Sequence, residues 1–197
     1  MTSAAVPTRK YTVADWKRLP DRPRFELIDG DLTMQAQPTP VHQEVGLRLG
    51  AQLVMYLNGK RCRAMHDTSV YLSENDQTVF APDLMVVCDP SKIKENYVFG
   101  APDLVVEILS PSTAKIDKTL KLKRYQQAGV REYWIVDPKH QLIDVYLWDN
   151  GPVPAHTYAR DDRLHVGVLD DCEIDLSFVF PEMDEPEINP LDVERFE

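Results

Sequence analysis

Apolar residues run in short unbroken blocks through the middle of this chain and recur at helical spacing on either side of them. Leu84-Met85-Val86-Val87-Cys88, Leu104-Val105-Val106 with Ile108-Leu109, and Tyr133-Trp134-Ile135-Val136 are each bounded by turn residues. Blocks of this kind read as strands, and the last of them, nearly all apolar, as central. Val45, Leu49, Leu53 and Tyr56 follow Thr39-Pro40, a capping residue before a proline suited to the first helical position. A helix is therefore predicted from about Val41 to Leu57, closed by Asn58-Gly59. Ile116, Leu120, Leu122, Tyr125 and Ala128 predict another between Ser110-Pro111-Ser112 and Gly129. A short one is expected from Thr12-Val13-Ala14-Asp15 through Leu19, ended by Pro20 and Pro23.

Turn residues order the remaining strands. Phe25 to Ile28, Asp29-Gly30 and Asp31 to Met34 predict a hairpin. Val70 to Leu72 and Phe80 to Cys88 predict two strands joined through polar Ser73 to Gln77. Leu104 to Leu109 connects through its helix to Tyr133 to Val136, and Leu142 to Trp148 follows a turn at Asp137-Pro138. His156 to Ala159 and Leu164 to Leu169 read as an outer hairpin. The expected fold class is α/β in the mixed α+β sense, a mixed central sheet flanked by helices. The expected organisation is a flexible start at 1–10, a single domain over 11–180 and an acidic tail at 181–197.

Composition narrows the function classes. At 197 residues and 43% apolar content, the chain is long enough for one sizeable core. No run of 18 uncharged apolar residues occurs, and Met1 to Lys10 lacks an apolar signal core. A cytoplasmic protein with no membrane segment is expected. Cys62, Cys88 and Cys172 are odd in number and form no C-x-x-C pair, which argues for reduced thiols and against a disulfide framework or a thiolate zinc site. The net charge of −10 is awkward for a partner rich in phosphate. Much of it lies in the tail, where seven acids from Glu182 to Glu197 face only Arg195. Positive charge gathers at Lys60, Arg61 and Arg63 and from Lys115 to Arg131, either flanking a groove or forming solvated surface.

Candidate chemistry centres on Glu107, an acid amid Val105, Val106, Ile108 and Leu109, where a bare charge needs a cation or hydrogen-bond donors. Asp83 opens the neighbouring apolar block after Pro82, and its plainer reading is a strand-end turn residue. Asp103 has the same Pro-Asp context but stands four residues before Glu107 on one strand, roughly 13 Å away, too far to share an ion. Asp83 and Glu107 on adjacent strands are the workable pair for a hard divalent cation. Lys121 follows Asp117 at helical spacing, which alone reads as surface pairing; with the two carboxylates it completes an acid–acid–lysine set. There is no G-x-S-x-G, no phosphate-cradling glycine loop among eight glycines, and no H-x-x-x-H among five histidines.

Pro82 to Val87, Pro102 to Ser112, Asp117 through Lys121 to Tyr125, and Gly129 to Pro138 closely resemble the Uma-type restriction endonucleases of bacteria. Phe25-Glu26-Leu27-Ile28-Asp29-Gly30 and Pro40 with His42 extend the likeness over roughly residues 11–180. The resemblance implies the PD-(D/E)XK nuclease superfamily, with a restriction-endonuclease-like mixed sheet. It also implies a metal-dependent endonuclease hydrolysing phosphodiester bonds of DNA. The superfamily lysine, two residues after the second acid, is replaced by Leu109, so the matching residue is Lys121 on the following helix. Asp83, Glu107 and Lys121 become the catalytic set. Asp83, Glu107 and Glu26 would hold Mg²⁺, with Mn²⁺ as a substitute, and His42, Tyr125 and Lys118 would contact substrate. Glu26 otherwise reads as the partner of Arg24 or Arg22, and His42 as a polar residue opening a helix. A homodimer is expected by analogy. The alternatives are an inactive nuclease-like module for self-association or protein binding, and cleavage of RNA or a small phosphodiester.

Overall fold

A computed structural model describes residues 10–20, 24–35, 37–73, 77–148 and 151–181. The expectations for the first nine residues and for the tail beyond Pro181 lie outside these. The chain begins with α1 (Val13–Trp16), β1 (Phe25–Ile28), β2 (Asp31–Met34), α2 (Pro40–Leu57), β3 (Arg63–His66), β4 (Val70–Tyr71), β5 (Val79–Phe80), β6 (Leu84–Val87), β7 (Val98–Phe99) and β8 (Leu104–Ile108). A helical passage follows, made of α3 (Ala114–Ile116), a π-helical segment (Asp117–Lys121) and α4 (Leu122–Ala128). It leads to β9 (Glu132–Asp137), β10 (Leu142–Tyr146), β11 (His156–Ala159), β12 (Arg163–His165), β13 (Glu173–Asp175) and α5 (Leu176–Val179).

The main sheet has six strands in the order β11-β10-β9-β8-β6-β3. β8 and β9 run parallel, joined by the helical passage, and the other neighbours are antiparallel. Parity along the strands divides the core. Leu84, Val86, Leu104, Val106, Trp134 and Val136 face α2 through Val45, Leu49 and Leu53. Met85, Val87, Val105, Tyr133 and Ile135 face α4 through Leu122 and Tyr125. Strands covered on both sides have no polar face, which is why their sequences are apolar blocks rather than alternations. A second sheet, β2-β1-β5-β4-β7, contributes Phe80 and Val70 to the α4 side.

Local signals are realised closely. Thr39 caps α2, its hydroxyl accepting from the His42 amide at 3.2 Å. Asp29 and Gly30 take the two positive φ angles of the β1–β2 turn, 51° and 84°. Gly129 ends α4 at φ 86°, a left-handed cap. α1 has the expected capping box but stops at Trp16, short of Leu19.

Three expectations change. Phe80 to Cys88 is two strands in different sheets, because Pro82 has no amide to continue a ladder. His156–Ala159 pairs with β10, and Arg163–His165 pairs with β13 rather than with it, so the outer hairpin does not form. Cys62 and Cys88 are joined by a disulfide where reduced thiols were expected, and Cys172 is a buried free thiol. The two half-cystines stand one step beyond the Arg63–Val87 pair, a cross-strand relation that their sequence separation of 26 conceals. Among the described residues no helix is long and apolar enough to cross a membrane.

Candidate active site

Register brings the two predicted acids together. Leu84 stands opposite Val106, so the next step outward sets Asp83 opposite Glu107, on the face that carries Met85 and Val105 toward α4. The break at Pro82 leaves Asp83 at the strand mouth, where its side chain stays 26% exposed. Asp83 Oδ2 accepts from the Ile108 amide at 2.7 Å and lies 3.3 Å from His42 Nε2. His42 sits in the first turn of α2, within the positive end of the helix dipole.

Glu107 is only 4% exposed, and one oxygen does most of its bonding. Oε1 accepts from Lys121 Nζ at 3.0 Å and from the Tyr125 hydroxyl at 2.9 Å. Lys121 Nζ also lies 3.1 Å from Glu26 Oε1 and 3.3 Å from Asp117 Oδ1. Glu26 is anchored from the second sheet, its Oε1 accepting from the Ala81 amide at 3.0 Å. Arg24 is not its partner, since that guanidinium bonds Asp67, and Arg22 lies outside the described residues. Asp83, Glu107, Lys121 and Glu26 thus come to one place. Asp117, which the helical spacing left as the surface partner of Lys121, joins them at 1% exposure.

The charges explain the protonation states. Burial raises the Glu107 pKa well above the usual carboxylate range; the Lys121 ammonium works against this, and Asp117, Asp83 and Glu26 add to it. Burial alone would lower the pKa of Lys121, but Glu107, Glu26 and Asp117 reverse that and hold it well above normal, so the side chain is an ammonium. Burial likewise pulls His42 down, and the hydrogen bond and charge of Asp83 outweigh it, leaving the imidazole pKa raised.

Hard oxygen donors are the chemistry that Mg²⁺ or Mn²⁺ asks for. Among the described residues, hydrogen bonds engage one oxygen each of Glu26, Asp83 and Glu107, leaving the second without a bond. Asp117 Oδ1 is buried with no hydrogen bond despite its nearness to Lys121. Four carboxyl groups surround one lysine and one histidine, an oxygen-rich set of the kind a divalent cation takes. In the arrangement seen, however, no three acid, histidine or cysteine side chains among the described residues are set to hold a metal ion, and the Lys121 ammonium occupies the point where Glu26, Glu107 and Asp117 meet.

Of two substrate contacts inferred from the sequence, one is enclosed in the core and the other is open to solvent. Tyr125 is fully buried and gives its hydroxyl to Glu107, so it orients the acid and does not face a phosphate. Lys118 is exposed and makes no contact with the acids. Asp103 binds the Cys88 amide at 2.8 Å and Arg131 at 3.3 Å, at the far end of the strands.

A mixed sheet with facing acids on adjacent strands and a lysine from the following helix defines a restriction-endonuclease-like α/β fold. The chain belongs to the Uma2 family, described as putative restriction endonucleases, whose pattern it matches over residues 13–177. Two uncharacterised proteins of Synechocystis sp. are similar to it. One is 28% identical over 83% of this chain and 88% of its own length, and the other 24% identical over 62% and 71%. Among solved structures, a putative nuclease belonging to DUF820 from Anabaena variabilis superposes with a TM-score of 0.70 at 21% identity, covering 86% of this chain and 97% of that one.

Proposed function

We propose that this protein is a metal-dependent endonuclease that hydrolyses DNA phosphodiester bonds, working as a homodimer. The observation that carries the reading is the meeting of Asp83, Glu107 and Lys121 beside Glu26, from two sheets and one helix, at a mouth left open at Asp83. Asp83, Glu107 and Glu26 would hold Mg²⁺ or Mn²⁺ through their unbonded oxygens. A cation there supplies Lewis acidity for attack of water on phosphorus. Lys121, held as an ammonium, donates to the non-bridging oxygens and offsets charge in the phosphorane-like transition state rather than serving as the base. Tyr125 and the Ala81 amide keep Glu107 and Glu26 oriented, and His42 holds Asp83 at the edge where the phosphate enters.

Incubation with plasmid, single-stranded DNA and RNA in Mg²⁺, Mn²⁺ or EDTA is the test. Metal-dependent cutting of DNA should fall at least about 100-fold in Asp83→Asn, Glu107→Gln and Lys121→Ala. A preference for RNA would move the substrate class, and cutting that survives all three changes would place the chemistry elsewhere. A second reading, a nuclease-like module without activity, is favoured by the way Lys121 is tied to three carboxylates at once. It predicts metal binding with no cutting of any of these substrates.

A further inference from the structure

Asp117 carries an anomaly that the proposed reaction does not use. It is 1% exposed, and its Oδ1 is a buried acceptor with no hydrogen bond. A buried carboxylate oxygen held only by an ion pair to the Lys121 ammonium, without a well-formed hydrogen bond, is expensive, and a position that only filled space would be better served by a neutral side chain. Its backbone, by contrast, is firmly held. The amide donates to the Thr113 carbonyl at 3.0 Å, and the carbonyl accepts from the Tyr133 hydroxyl at 3.1 Å. The segment Asp117–Lys121 is π-helical, a rare geometry that tends to occur where a helix serves a site. It brings residues 117 and 121 to the same buried pocket.

Lys121 has three protons to give. The one well-formed bond among the three acids goes to Glu107, whose oxygen is also the acceptor of Tyr125. Glu26 has the Ala81 amide as well, whereas Asp117 Oδ1 has nothing else. Glu107 and Glu26 cannot serve the ammonium and a divalent cation equally, because two positive charges in one buried pocket repel strongly. The ammonium must yield, and the acceptor that stands ready is Asp117, 3.3 Å away on the same helical segment.

We infer that Asp117 is the positioning residue for Lys121: its Oδ1, already 3.3 Å from the ammonium but not yet in a well-formed hydrogen bond, keeps the lysine charged and beside the site when Glu26 and Glu107 turn to a divalent cation. The inference rests on reading this centre as a cation site. Asp117 acts through Lys121 and not on the ion.

Calorimetric titration of the full chain with Mn²⁺ alone separates these roles. Asp117→Asn should weaken Mn²⁺ binding at least 10-fold when Lys121 is present. In a Lys121→Met background, where no ammonium has to be rehoused, Mn²⁺ should bind more tightly than to the natural chain. Adding Asp117→Asn there should change affinity by less than 2-fold. A merely structural role would not produce this dependence on Lys121. Equal weakening in both backgrounds would mean that Asp117 acts on the ion directly and would overturn the inference, as would no effect in either. Should Asp117→Asn fail to fold, Asp117→Ser in the same two backgrounds gives the same contrast. If the natural chain binds no Mn²⁺, the cation-site reading itself fails, an outcome distinct from binding without coupling.

Discussion

Glu107 and Glu132 pose the same question at the scale of a single residue. Each is an acid at or within an apolar block, and each is buried. Their faces differ. Glu107 looks toward α4 and meets an ammonium, while Glu132 looks the other way and is satisfied by the Trp134 indole at 2.7 Å and the Val168 amide at 2.9 Å. The acid-in-a-strand signal was thus sound for burial, but it did not separate a carboxylate that meets an ammonium from one that ties a loop to the sheet. Burial raises the Glu132 pKa above the ordinary 4.5, and its hydrogen bonds only partly offset this. A carboxyl with a raised folded pKa keeps its proton more tightly when folded. Its contribution to stability is full below the ordinary glutamate range and is lost as pH rises through the folded value. Glu132→Gln removes that loss, so its Tm relative to the natural chain should rise between pH 4.5 and pH 7.5. Differential scanning calorimetry at several pH values checks it, and a difference independent of pH would show that Glu132 ionises freely in the fold.

At the scale of elements, caps and turns were legible because they are local. Thr39-Pro40, Asp29-Gly30 and Gly129 each do what their backbone chemistry requires. Thr39 also shapes the site, since the turn it caps carries His42 to Asp83. Thr39→Ala should cost about 1 kcal/mol and lower Tm by roughly 2–4 °C. It should also weaken metal-dependent cleavage beyond what the stability loss explains. Thermal denaturation together with the plasmid assay would show both. What local pattern missed was pairing. β3 is a half-exposed edge strand with no strong alternation, and it emerges only as the partner of β6. The split at Pro82 was visible as a proline, yet only the assignment of β5 and β6 to different sheets makes it the opening of the site.

For the whole molecule, one long-range feature bears on stability and one exposed face on the proposed homodimer. The Cys62–Cys88 disulfide closes a loop of sequence separation 26 across the β3–β6 pair, and chain-entropy reasoning gives about 3.5 kcal/mol for such a loop. Cys88→Ser should therefore lower Tm by roughly 10 °C without reductant, and dithiothreitol should bring the natural chain down to the variant. An unchanged natural chain in reductant would contradict this. On the outer side of α2, Leu47 is 73% and Val54 57% exposed beside a groove of about 580 Å³ next to edge strand β3. The charges on this helix are a single Glu44–Arg48 pair, so two copies of a chain with net charge −10 can meet here without opposing their acids. Sedimentation should show a dimer, and Leu47→Glu with Val54→Glu a monomer; a monomeric natural chain would refute that. Sequence alone determined the mixed α/β class, the caps, the apolar strands and the acids worth watching, because these depend on nearest neighbours and on which side chains tolerate burial. Tertiary structure alone decided that Glu26 from one sheet, Asp83 and Glu107 from another, and Asp117 with Lys121 from a π-helical turn gather around one another. Contacts between residues 26 and 121 follow from packing, and no local period records them.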